Sequence, residues 1–177
     1  RHVWPGLYAS GIKDARGADE IVNQIMVARA MGPTGAGHVH FSMKALRENR
    51  GGIVDSLGAQ AYAQKALVPP SPWLDDRPPN APSLNLDIRN EQARVQWAHA
   101  DTEDVNRWIV YYRRGARWHY ELLNRATREI KFPLVALGTD QRDGAAPQVL
   151  REIAVSALDR LGNESPKTRM TIEKRPE

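Results

Sequence analysis

The sequence predicts an α/β segment followed by an all-β sandwich. Three observations lead there. Residues 1 to about 60 alternate short strand patterns with helical ones. Residues 68–82 contain six prolines, which neither continue a helix nor sit in a central strand. The remainder holds about seven short strand patterns parted by turn residues, the number of an immunoglobulin-like sandwich. The predicted boundaries are 1–67, 68–82 and 83–177.

Arg1 to Ser10 reads as a strand, with Val3, Pro5 and Leu7 alternating with Trp4, Gly6 and Tyr8. It begins on the first residue without cap or turn, as expected of a piece of a longer chain. Asp19 to Met31 reads as an amphipathic helix with Ile21, Val22, Ile25 and Met26 on one face. Its acidic start, Asp19 and Glu20, suits the helix dipole. Gly32-Pro33-Thr34-Gly35-Ala36-Gly37 ends it; a strand follows directly, so the run is a loop and not a phosphate cradle. His38 to Met43 is the second strand, and Met43-Lys44-Ala45-Leu46 opens a helical pattern with Ser42 available as its N-cap. Helical connections of this kind fit a parallel sheet. In a parallel barrel the apolar Val39 and Phe41 would lie under the helices. His38, His40 and Ser42 would then look inward, where ligands bind near the strand ends. Gly51-Gly52 is a hinge or cap, and Ile53, Val54 and Leu57 begin another helical pattern that continues toward Tyr62 and Leu67.

The proline segment is stiff, with Trp73-Leu74 as an anchor onto the barrel. Strands are expected at Leu84–Ile88, Ala93–Trp97, Trp108–Arg114, Trp118–Leu123, Thr127–Phe132, Arg151–Leu158 and Arg169–Lys174. Trp97, Tyr111, Ile153 and Val155 are the expected core. Leu134 to Pro147 reads as a long loop.

The 41% hydrophobic and 26% charged composition is that of a globular protein. There is no cysteine, hence no disulfide framework and no thiolate metal site. No apolar run reaches the ~18 residues of a membrane span, and no signal-peptide pattern opens the sequence. The net charge of +4 is scattered among acids. It reads as a solvated surface, and nucleic acid is not an expected partner. No dinucleotide fingerprint or serine nucleophile elbow is present. His38 and His40 share a strand face, but no third or fourth ligand stands at a recognisable spacing, so no metal and no cofactor are expected.

The segments VWPGLY, EIVNQI, GHVHFSMKAL and ALVPPSPWLD, spread over most of residues 2–75, resemble the C-terminal part of a bacterial glycosyl-hydrolase-like family, the ten type. That family joins a (β/α)8 barrel to a fibronectin-III-like domain, and its members include enzymes that cut peptide-free peptidoglycan glycan strands. The run IAVSALDRLGNESP resembles the penultimate strand and turn of fibronectin type III domains, except that Arg151 stands where those domains carry a corner tyrosine. The resemblance implies the last two βα units of the barrel followed by the sandwich. The catalytic carboxylates would lie upstream, so this chain alone would be inactive. It also implies a polysaccharide substrate and a periplasmic, secreted or lipid-anchored place at the cell envelope.

Within that reading Trp4 and Tyr8 share a face, and flat aromatic rings suit the C–H surface of sugars. Trp4 either lines the sugar site or fills the barrel interior; Tyr8 is nearer the rim. His40 either lines the sugar site as a hydrogen-bond donor or is a satisfied interior histidine at the barrel's tapering end, and His38, nearer the strand's start, is expected to be deeper and structural. Ser10 and Ser42 lie at the rim. Lys44 either contacts the ligand or is a surface lysine. Arg29 is an outer ion-pair partner. Asp14, Asp19, Glu20, Glu48 and Asp55 yield no pair suited to glycoside hydrolysis. The partners expected are the remainder of the barrel, or a second copy through an open sheet edge. The competing reading is a non-catalytic carbohydrate-binding or interaction module.

Overall fold

The computed structural model describes residues 2–12, 17–30, 37–101, 103–137 and 146–172. Arg1, Asp14, the run Gly32 to Ala36, most of the 134–147 segment and Lys174 therefore lie outside or partly outside the description. The chain forms two compact units, divided between Pro69 and Pro70.

Among the described residues the first unit has a two-stranded parallel sheet, β1 (Gly6–Tyr8) and β2 (Val39–Phe41), with three α-helices and two short 3-10 turns. Helix α1 spans Ala18–Ala30 and buries Ala18, Ile21, Val22 and Ile25. The buried stripe is narrower than expected, for Met26 is 43% exposed. Helix α2 is Met43–Arg47 and α3 is Ile53–Ala59. Between them Asn49, Gly51 and Gly52 all have positive φ, and Gly52 caps α3 from the left-handed region that glycine enters without strain. Leu7, Ala9 and Ile12 join the helices' Ile21, Ile25, Ala45, Ile53 and Leu57 in one core.

The second unit is an antiparallel sandwich. One sheet has the order β3–β4–β7, from Ser83–Arg89, Gln92–Ala98 and Glu129–Pro133. The other runs β6 (Arg117–Asn124), β5 (Arg107–Arg114), β9 (Pro147–Leu158), β10 (Thr168–Thr171). A short strand β8 (Val135–Leu137) pairs with Pro147–Val149, so the ends of the expected loop are sheet. Trp97, Ile153 and Val155 are buried as expected. Tyr111 is not a core residue. It faces outward and donates its hydroxyl to Glu164 at 2.8 Å, while Trp108 and Val110 fill the core. The uninterrupted apolar and aromatic run Trp108–Tyr112 has no alternation from which an inward face can be read. Arg151 is exposed at the corner position; there Leu150 donates its backbone N–H to Leu134 O at 2.8 Å.

The proline segment is fastened to the sandwich. Ser71 N–H reaches Leu161 O at 3.0 Å, Asn163 Nδ2 reaches Asp75 O at 3.0 Å, and Thr168 Oγ1 reaches Pro82 O at 2.5 Å. Asp159 holds the turn that presents these groups, accepting from the backbone of Leu161 and Asn163 at 2.7 and 2.8 Å.

Trp108→Ala should cost about 3–5 kcal/mol by emptying the core, and Tyr111→Phe about 1 kcal/mol by removing one hydrogen bond. Urea unfolding followed by circular dichroism distinguishes them, and comparable losses would contradict the assignment of faces.

Candidate functional site

The parallel pairing fixes what each face of the small sheet carries. Gly6 stands beside Val39, Leu7 beside His40 and Tyr8 beside Phe41. Register partners in a parallel pair project to the same side. Tyr8 and His40 therefore lie on opposite faces. The expectation that Val39 and Phe41 lie under the helices is corrected: Leu7 occupies the helix-covered face, and the histidines share it. Alternation in one strand defines two faces, but only its neighbour reveals which one is covered.

The open face is aromatic. Trp4, Tyr8 and Phe41 are 53, 56 and 62% exposed, and Val39 is half exposed between them. Tyr8 and Phe41 stack with ring centroids 6.0 Å apart and planes 24° apart. A Cβ added at Gly37 would meet the Trp4 ring at 3.3 Å, so glycine there lets the indole lie close against the backbone. A Cβ at Gly6 would meet nothing within 4 Å, which leaves the middle of the face clear. Phe41 is the site residue that the sequence reading missed, since it was assigned to the covered side.

At the strand ends, Ser10 and Ser42 face each other with oxygens 3.1 Å apart, and Ser42 N–H donates to Ser10 Oγ at 3.0 Å. Ser42 makes no side-chain cap bond to α2, contrary to expectation; its hydroxyl ties the two strands together instead. Lys44 is a surface residue paired with Glu48 at 3.8 Å, a contact of little energetic weight.

The helix-side face gathers His38, His40 and Tyr62. His40 Nε2 lies 2.7 Å from Tyr62 Oη, and His38 Nε2 also hydrogen-bonds that oxygen. The His38 ring stacks on Tyr62 at 5.8 Å with planes 1° apart. Arg29 places its guanidinium 6.0 Å from the centre of the Tyr62 ring, a cation–π contact in place of the expected ion pair. Both Nδ1 atoms are buried without a hydrogen-bond partner. Burial, with His40 and Arg29 nearby, holds His38 below the ordinary histidine value; burial does the same for His40. Burial raises the Tyr62 phenol, against the opposing effect of Arg29.

Of the described carboxylates of this unit, Asp19 stands in the first turn of α1 and the other three serve local contacts. Glu20 accepts from Gln24 at 2.8 Å, Glu48 pairs with Arg50 at 2.7 Å, and Asp55 accepts from Asn49 at 2.9 Å. Among the described residues no three of the types His, Cys, Asp and Glu are grouped to hold a metal. Among the same residues no helix is long and apolar enough to cross a membrane.

Glycosyl hydrolase YngK of Bacillus subtilis (strain 168) is 30% identical over 161 residues, a match that takes in 88% of this chain. The chain is similar to a glycosyl hydrolase. It spans 30% of that relative's length. No family model matches. Among solved structures, the Clostridium perfringens spore cortex lytic enzyme SleM aligns over 98% of this chain and 68% of its own, with 15% identity and a TM-score of 0.42. The Endo-D glycoside hydrolase domain of Streptococcus pneumoniae R6 aligns over 56% of this chain and 16% of its own, with 21% identity and a TM-score of 0.36. An FN3 domain of human collagen XX aligns over 60% of this chain and 100% of its own, with 16% identity and a TM-score of 0.38.

The histidine pair predicts a pH dependence. Both imidazoles have folded values below the unfolded value near 6.5. Folding therefore favours their neutral forms, and this stability is present above pH 6.5 and is lost as pH falls below it. The charged or titratable groups around them are Arg29 and Tyr62, and Arg29 adds to the repulsion once the imidazoles are protonated. The urea midpoint of the first unit should fall between pH 7.5 and 5, and the fall should shrink in the His38→Gln, His40→Gln double variant. A midpoint equally steep in both proteins would rule the pair out as its source.

Proposed function

We propose that this chain is the C-terminal part of a bacterial glycoside hydrolase that acts on a polysaccharide, with cell-wall glycan as the substrate class. In this reading residues 1–67 are the last two βα units of a (β/α)8 barrel, and the sandwich is a fibronectin-III-like accessory domain. The protein works at the cell envelope. The open aromatic face of Trp4, Tyr8 and Phe41 carries the proposal, supported by the similarity to YngK. Pyranose rings present C–H groups on their faces and hydroxyls on their rims. A bare aromatic floor receives the former and leaves the latter free for polar groups around it.

Hydrolysis needs an acid and a second carboxylate flanking the scissile bond. Glu20, Glu48 and Asp55 are already engaged in local contacts, away from that role. In this reading the chemistry belongs to strands outside this chain, and the chain supplies a wall of the groove. Among the described residues the small sheet contains β1 and β2 alone, which leaves each strand one unpaired edge. Parallel sheets are ordinarily buried. The remaining barrel strands are the proposed partners of those edges, and a second copy is the alternative partner. An aromatic platform with no carboxylate pair gathered beside it among the described residues also favours a binding role for the fragment taken alone.

The longer parent polypeptide should release fragments from peptide-free glycan strands, read by mass spectrometry, whereas residues 1–177 should release none. In the parent, Tyr8→Ala and Phe41→Ala should each weaken glycan affinity about tenfold, equivalent to ~1.4 kcal/mol. Cleavage by residues 1–177 alone, or unchanged affinity in both variants, would overturn the reading.

A further inference from the structure

Tyr62 lies 22 residues beyond His40, yet its phenol oxygen meets both histidines. His38 and His40 are two apart on one strand face, so their imidazoles project side by side, with ring centroids 5.1 Å apart. Tyr62 approaches from the segment after α3. Two imidazole nitrogens from one strand thus meet one phenol oxygen from a separate stretch of chain.

We propose that His38 Nε2, His40 Nε2 and Tyr62 Oη form a binding site for a single divalent first-row transition-metal ion. Imidazole nitrogen with an oxygen donor suits zinc, copper and nickel rather than calcium or magnesium. Ligands about 2.0–2.1 Å from an ion lie about 2.9 Å from one another at right angles, and about 3.4 Å apart in a tetrahedron. The His40–Tyr62 separation of 2.7 Å is close to the first arrangement. His38 Nε2 lies closer still to the same oxygen, so the Tyr62 ring, 41% exposed, has to draw back by roughly half an ångström or more to admit the ion.

Both imidazoles are already aimed through Nε2. Tyr62 has one hydroxyl proton, so one imidazole accepts it and already carries its ring proton on Nδ1; in the other the ring proton moves from Nε2 to Nδ1 as the metal binds. The phenol proton passes to solvent as the Oη–metal bond forms. Arg29, set over the Tyr62 ring, favours the resulting phenolate, and its charge also keeps the affinity moderate. Three protein ligands leave a position open to water. The site is structural: it pins β2 to the chain beyond α3, on the side of the sheet opposite the aromatic face. It does not depend on the glycan reading.

Isothermal titration of residues 1–177 with Zn2+, and separately with Cu2+, at pH 7.5 tests the site. One ion per chain is expected, with Kd on the order of 10 µM or tighter. His38→Gln and His40→Gln should each weaken binding at least about 30-fold, within the range for lost metal-site groups. Tyr62→Phe, which keeps the ring and its stacking, should weaken it about tenfold and abolish the proton release seen on comparing two buffers. His99→Gln and His119→Gln should change nothing. Absence of saturable binding by either ion, or binding that survives the His38→Gln, His40→Gln double variant, overturns the proposal. So does an unchanged affinity and proton release in Tyr62→Phe, which remains readable if the histidine variants fail to fold.

Discussion

The parallel register of β1 and β2 is the constraint on which the first unit depends. Three residue pairs decide it, Gly6 with Val39, Leu7 with His40 and Tyr8 with Phe41. A shift by one residue would turn every side chain of one strand to the other face. Leu7 would then leave the core that it shares with Ile21, Ile25 and Ile53. The hydrophobic demand of one leucine thereby places Tyr8 and Phe41 outside, and leaves the histidines on the side where Tyr62 and Arg29 lie. The backbone bond from Val39 N–H to Pro5 O at 3.0 Å and the Ser10–Ser42 contact hold the register at the two ends.

In the sandwich the corresponding constraint is β5, which pairs on both edges, with β6 and β9. Trp108 is fully buried there, and its indole N–H reaches Arg125 O at 3.1 Å, whereas the indole N–H of its core neighbour Trp97 is buried without a partner. Its neighbour Tyr111 turns outward into a polar cluster. Glu164 accepts from Tyr111 and from Ser156, and Lys167 lies 3.3 Å from that carboxylate and 4.3 Å from the tyrosine ring centre. Burial and the carboxylate together push the Tyr111 phenol far up. The cluster sits over β9 near the turn that Asp159 shapes, so turn and strand are held by the same few groups.

Much of this was legible in the sequence, and the failures have physical causes. Period two revealed β2 and β4 because their polar and apolar residues alternate. The 3.6-residue period revealed α1 because Ile21, Val22 and Ile25 recur on one stripe. The proline run marked the change of unit to within a few residues. Inward and outward were misread wherever alternation was missing or symmetric. In Trp108–Tyr112 every position is apolar or aromatic, and in Val39–Phe41 apolar residues face the open side of the sheet. Strand β8 has three residues and depends on its pairing with β9, so no local pattern announces it. Tyr62 read only as one aromatic in a helical run. Its meeting with two histidines is a product of tertiary structure, and no spacing rule reaches across 22 residues of helix and turn.

The two faces of the small sheet differ in what they require. On the helix side, His38 and His40 keep buried Nδ1 atoms without partners, an arrangement that costs free energy and that a fold tolerates where other contacts compensate. The stacking of His38 on Tyr62, the shared phenol oxygen and the Arg29 contact supply those contacts locally. On the open side no such network exists, and Trp4, Tyr8, Val39 and Phe41 present apolar surface to water. A face like that is tolerated when something else covers it. Because the faces share only three residues of each strand, changes to ring groups on one side should leave the other side's chemistry intact. The sheet thus separates an interior that rigidifies β2 from a surface that is available to a ligand or to further strands.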